Sequence, residues 1–142
     1  MNHHVKHSDI DLKSFLYVYT GCFSYPRLQL KCDPTSYEFS YPYGIVVNSK
    51  NQILVANKGA SKILVFDSDF KFLHSVGSQK SLSMPYQLAV FPNDDIAVAD
   101  FGASCLVVFS PDGTQLGKYS HPRLVSLSSV YVAKNNDIIV GT

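Results

Sequence analysis

Tyr43 and Tyr86 stand 43 residues apart, and Lys58 and Phe101 occupy matching positions at the same interval. Aromatic rings beside an ammonium group, repeated at one spacing, are suited to gripping a ligand. Rings stack on planar groups and lysines meet anions, each stacked base contributing about 1–3 kcal/mol in single-stranded nucleic-acid complexes. Lys62 and Arg123 add cations to the same set of candidate binding residues. The tyrosines also suit a structural task, covering a core edge and donating their hydroxyls to loop carbonyls. Catalytic chemistry is harder to assemble. His3, His4 and His7 have a spacing that could ligate a metal, but at the N-terminus they read more plainly as a tail or an edge strand. No G-x-S-x-G or P-loop pattern occurs. Asp94 and Asp95 belong to a turn, and adjacent strand residues point to opposite faces, so they do not share a proton. The expectation is a binding module that is not an enzyme, with no catalytic residue, metal or cofactor.

The 43-residue interval belongs to a longer repeat. "QILVANKGASKILVF" (Gln52–Phe66) returns as "DIAVADFGASCLVVF" (Asp95–Phe109), and an ungapped overlay of Pro42–Leu73 on Pro85–Leu116 matches 13 of 32 positions. The shared residues are turn formers and β-branched or aromatic strand formers. Four short apolar runs per unit, separated by "SKNQ", "DSD", "PNDD" and "SPDG", read as four-stranded antiparallel meanders. The Gly-Ala-Ser shared by both units reads as a tight turn, or as a place where another chain approaches closely. A third unit, "VYVAKNNDIIVGT", begins near Leu127 and holds two strands. No apolar stripe of helical period runs for three turns. Such a sheet cannot bury both faces by itself, and repeats of this length with four strands pack face to face around an axis as propeller blades. The predicted fold is therefore all-β: a partial, open β-propeller with an N-terminal segment at 1–40, blades at 41–84 and 85–126, and a truncated unit at 127–142. Further blades from a longer chain or from other copies are expected to close the ring.

Totals narrow the class. The chain is 46% hydrophobic and 16% charged, with a net charge of +1, which excludes a disordered chain and gives no general pull toward DNA or a membrane. Cys22, Cys32 and Cys105 are odd in number and lack C-x-x-C spacing, against a disulfide framework or zinc site. The first 14 residues lack the apolar core of a signal peptide. The expected compartment is cytoplasmic.

Glu38–Leu73 resembles an NHL repeat, whose outline Phe39, Pro42, Gly44, Ile53, Val55, Ala56 and Val65-Phe66-Asp67 follow. Pro85, Ile96, Val98, Ala99, Asp100, Phe109 and Gly113 follow it again. The Asn-His pair of the family is replaced by Ala60-Ser61 and Ala103-Ser104, and occurs once as Asn2-His3. Residues 2–18 then align as the outer strands of a preceding blade, or else form a solvated tail followed by one strand, "FLYVY".

The resemblance is to the animal TRIM-NHL class and implies several things. Loops joining second to third strands, and connectors between blades, lie on one face that takes the ligand. On it fall Asn57–Lys62, Asp100–Ser104 and the segments before Pro42, Pro85 and Leu127. The expected ligand is a protein partner, with single-stranded RNA as the alternative; Asp100 on that face and the near-neutral total speak against RNA, which protein contact tolerates. Any RING-dependent ubiquitin ligase activity would belong to sequence outside this chain. A lyase-type propeller holding a metal through channel histidines is a third reading, though neither repeat places a histidine there.

Overall fold

The structure, a computed structural model, describes residues 38–142. All lie in one compact unit, Cys32–Thr142. The readings of residues 1–37, including His3, His4 and His7 and the preceding-blade alignment, fall outside the described residues.

Two four-stranded antiparallel sheets and one two-stranded sheet follow in chain order. The first blade is β1 (Pro42–Val47), β2 (Ile53–Asn57), β3 (Lys62–Phe66) and β4 (Phe72–Val76), with a 3-10 turn at Lys58–Ala60. The second is β5 (Pro85–Val90), β6 (Ile96–Asp100), β7 (Cys105–Phe109) and β8 (Gln115–Ser120). β9 (Ser129–Val132) and β10 (Ile138–Gly141) make the third. Strands pair in sequence order within each sheet, the meander that the apolar runs and turn residues predict.

The hairpin turns share one backbone solution. In each, a residue in the left-handed region follows a tight turn, at Asn51, Phe70, Asp94, Gly113 and Asn136 (φ 56°, 62°, 67°, 93° and 67°). Asn48 N–H donates to the Gln52 carbonyl and Asn51 N–H to that of Asn48. Phe91, Asp94 and Asp95 repeat this, as do Ala133, Asn136 and Asp137. Asn, Asp and Gly tolerate this conformation well, which is why they punctuate the sequence there.

The blades pack through alternate residues. Leu54, Ala56, Ile63 and Val65 of the first sheet meet Leu88, Ile96, Val98, Val107 and Phe109 of the second. The opposite side of the second sheet, Ala89, Ala97, Ala99, Leu106 and Val108, meets Leu127 and Val130. Burying each large side chain contributes about 1.5–3 kcal/mol relative to exposure. Val55 is 1% exposed, but Val47, an equally apolar strand residue, is 54% exposed. Val47 and Ile45 lie on the side of the first sheet turned away from the second. Their counterparts one repeat later, Val90 and Leu88, pack against the first sheet. Position in the array, and not residue type, makes the difference.

A polar tie joins the turns of adjacent blades. The Asp94 carboxylate accepts from Ser49 N–H at 2.8 Å and from its hydroxyl at 2.6 Å. These donors, side chain first, hold the Asp94 carboxyl below the ordinary carboxylate range. The stabilisation is complete above the unfolded carboxylate value, about pH 4, and is lost as pH falls through the lower folded value. Asp94→Asn, whose side chain tolerates φ 67° as aspartate does, is expected to cost about 1 kcal/mol in urea unfolding at pH 7, with the difference from the parent protein shrinking toward pH 2. A pH-independent difference would show that the tie does not act through ionisation.

Among the described residues no helix is long and apolar enough to cross a membrane. Cys105 is 1% exposed in the blade interface, and burial pushes its thiol up.

Candidate functional site

Antiparallel order places the starts of β1 and β5, the ends of β2 and β6, and the connectors between blades at one end of the sheets, the loop face. The hairpin turns lie at the other. Pairing slips at both strand entrances, between Pro42 and Ile45 and between Pro85 and Gln87. Such bulges re-aim side chains, and here each contains a tyrosine.

The Tyr43 ring lies 3.6 Å, centroid to centroid, from that of Tyr86 with a 32° tilt. Tyr86 stacks in turn on Phe101 at 5.3 Å and 28°. The Lys58 ammonium sits 5.1 Å from the Tyr86 centroid and 5.9 Å from that of Phe101. Four of the residues singled out by the repeat thus form one ladder, with Lys58 held by two π faces. Tyr43 at its end is 57% exposed, whereas Tyr86, Phe101 and Lys58 are half-buried. The Tyr43 hydroxyl, and after it burial, push the Tyr86 phenol above its ordinary value. Tyr86 therefore keeps its proton at neutral pH and remains a donor. Lys62 and Arg123 are exposed on the same face but outside the stack: Lys62 begins β3, and Arg123 lies in the connector before β9.

The ladder depends on how closely β1 and β5 approach. A Cβ on Gly44 would lie 2.6 Å from the Tyr86 carbonyl oxygen and 2.8 Å from the Gln87 Cα. A bare α-carbon at 44 brings the two tyrosine-bearing entrances together.

Two further sets of residues position the loops, in roles that the sequence reading did not assign to them. Asp100 is fully buried, and its carboxylate accepts from Ser83 N–H (2.8 Å), Met84 N–H (2.8 Å) and Ala103 N–H (3.2 Å). Its counterpart Asn57 accepts from Ser40 N–H and donates to the Glu38 carbonyl, both at 2.7 Å. The available signal was a polar residue closing an otherwise apolar strand in both units. Because Asp100 is buried and its oxygens are taken by backbone N–H groups, it makes no direct contact with a ligand on this face.

The serines of Gly-Ala-Ser are the second set. Ser61 donates its hydroxyl to the Ser83 carbonyl at 2.6 Å, and the Ser104 hydroxyl accepts from Ser126 N–H at 3.1 Å. Each ties its loop to the entry of the next blade. The glycines fit against the preceding entry: a Cβ on Gly59 would meet the Ser40 Oγ, and one on Gly102 would lie 2.6 Å from the Ser83 Oγ. The motif joins blade to blade.

Comparison with known proteins follows from this geometry. Residues 82–109 match the NHL repeat. No curated protein sequence matches the chain. Among solved structures, a catalytically inactive virginiamycin B lyase from Staphylococcus aureus, with quinupristin, superposes with a TM-score of 0.62 at 13% identity, over 71% of this chain and 34% of that one. A luciferin-regenerating enzyme gives 0.61 at 15%, over 72% and 38%. A Bacteroides caccae protein of unknown function gives 0.61 at 19%, over 70% and 38%. The chain spans about a third of the length of these structures. At such identities the likeness establishes the fold alone, a partial β-propeller, in which residues 82–109 carry the NHL-repeat match.

The expectation of a chain that is not an enzyme is corrected by these neighbours. Virginiamycin B lyase and luciferin-regenerating enzyme are enzymes built on the same architecture, so a repeat pattern without a catalytic motif does not separate binding from catalysis in this fold. Among the described residues, no group of three or more His, Cys, Asp and Glu is arranged to hold a metal ion.

Proposed function

We propose that the loop face of these NHL blades is a recognition surface for a protein partner, as in the partner- or substrate-binding part of a TRIM-NHL-like regulator. The observation that carries this reading is the ladder of Tyr43, Tyr86, Phe101 and Lys58. Its rings stack on one another, so the inner faces are occupied and an edge, a hydroxyl and one open tyrosine face are presented outward. That is the form of an interface anchor: rigid, amphipathic, and ordered before the partner arrives. Single-stranded RNA is the second reading, favoured by the Lys58 ammonium beside the rings.

Photo-cross-linking tests the reading. A photoreactive residue at position 43, in the chain expressed in its native cells, is expected to yield adducts that protease removes and RNase leaves intact. The same probe at position 69 on the hairpin turns is expected to yield none. RNase-sensitive adducts from position 43, or equal protein adducts from both positions, would overturn it.

A further inference from the structure

The near-zero net charge conceals a separation. Among the described residues, the cations on the loop face are Lys58, Lys62, Lys80 and Arg123. Of the carboxylates described there, Glu38 is exposed, while Asp100 is fully buried with its oxygens committed to three backbone N–H groups. The hairpin-turn face reverses the balance: Asp67, Asp69, Asp95, Asp112 and Asp137 stand against Lys50, Lys71 and Lys134. Alternate loops of a meander go to opposite ends of the sheet, so charges that average out along the described residues separate between the two ends of these blades.

The loop face also exposes large apolar side chains at the entry of each unit: Tyr41 (78%) and Tyr43 (57%), Met84 (37%), and Val125 (63%). A phosphate backbone gains little from Met84 or Val125, whereas a polypeptide can bury its own aliphatic and aromatic side chains on them. Lys58, held over Tyr86 and Phe101, keeps its ammonium at the ladder, where a carboxylate can meet it while the rings cover its far side.

We propose that the segment bound on this face is an acidic peptide with apolar residues interspersed. Its carboxylates meet Lys58, Lys62 and Arg123, and its apolar side chains lie on Tyr43, Met84 and Val125. The inference rests on the protein-recognition reading and narrows it to a partner chemistry.

Fluorescence anisotropy with the full chain tests it, using a labelled short peptide that alternates glutamate with phenylalanine and leucine. Its glutamine counterpart and an oligouridylate serve as competing probes. The glutamate peptide is expected to bind about tenfold or more tightly than the glutamine peptide at low salt, the gap narrowing as screening shortens at high salt. Lys58→Glu/Lys62→Glu/Arg123→Glu is expected to abolish that preference, while Lys50→Glu/Lys71→Glu/Lys134→Glu on the opposite face retains it. Equal binding of both peptides by the parent chain would overturn the acidic preference and leave protein recognition standing. Oligouridylate bound more tightly than either peptide would overturn both. No binding of the acidic peptide, or equal losses from the two triple variants with their β circular-dichroism signal intact, would also overturn the inference.

Discussion

Asp100→Ala is expected to lower the unfolding free energy by about 3–5 kcal/mol, the largest effect of any single change discussed. The wild-type carboxylate is fully buried and accepts three backbone N–H groups, from Ser83, Met84 and Ala103. Alanine leaves those donors facing a small cavity without an acceptor. Hydrogen bonds to a charged group contribute about 1.5–3 kcal/mol each, and not additively when they share one acceptor. Asp100→Asn supplies the internal comparison. Its amide keeps one acceptor oxygen but turns a donor toward an N–H, so an intermediate loss of about 1–3 kcal/mol is expected. The first blade uses asparagine at this place because its second partner, the Glu38 carbonyl, is an acceptor. Urea unfolding followed by β circular dichroism measures both variants. A loss below about 1 kcal/mol for Asp100→Ala would mean that the donors find water or other partners at little cost.

Gly44→Val is expected to cost about 1–3 kcal/mol and to take the aromatic ladder apart. A Cβ at 44 would lie 2.6 Å from the Tyr86 carbonyl oxygen and 2.8 Å from the Gln87 Cα. These are backbone atoms, which no rotamer change removes. The blades must separate or slide, and the separation falls beside the 3.6 Å contact of Tyr43 and Tyr86. Thermal unfolding should fall by about 4–8 °C per kcal/mol lost, for a unit of this size. Tyrosine fluorescence of the folded variant should change relative to Tyr43→Phe, which keeps the stacking and removes one hydroxyl. A variant with parental melting temperature and spectrum would show that β1 and β5 do not approach as described.

Much of the architecture was legible because strands and turns leave local marks. Ile96-Ala97-Val98-Ala99 is apolar throughout because both sides of this strand are covered, Ile96 and Val98 by the first blade and Ala97 and Ala99 by the third unit. Asn51, Asp94, Gly113 and Asn136 sit where the backbone turns left-handed, and their small or locally bonding side chains announce it. Phe70 takes the same conformation (φ 62°) without such a side chain. The sequence reading ended the turn at Asp69 and began the strand at Phe70, whereas the strand begins at Phe72, because nothing in a phenylalanine marks a left-handed residue. Spacing also brought out Tyr43, Tyr86, Lys58 and Phe101, since equal positions in successive blades become neighbours about the axis.

What the sequence by itself determined is the repeating strand and turn pattern, hence the blades, and the loop face on which the repeated aromatic residues fall. Those follow from interactions between residues a few positions apart, which any single unit records. The tertiary structure alone decided which of two equivalent residues is covered, as with exposed Ile45 and buried Leu88. It decided that the rings stack on one another, that Asp100 turns inward as an acceptor, and that among the described residues bases prevail on the loop face and acids on the hairpin-turn face. Each of these depends on what the neighbouring blade places against the residue, and the chain carries no local mark of a contact made 43 residues away.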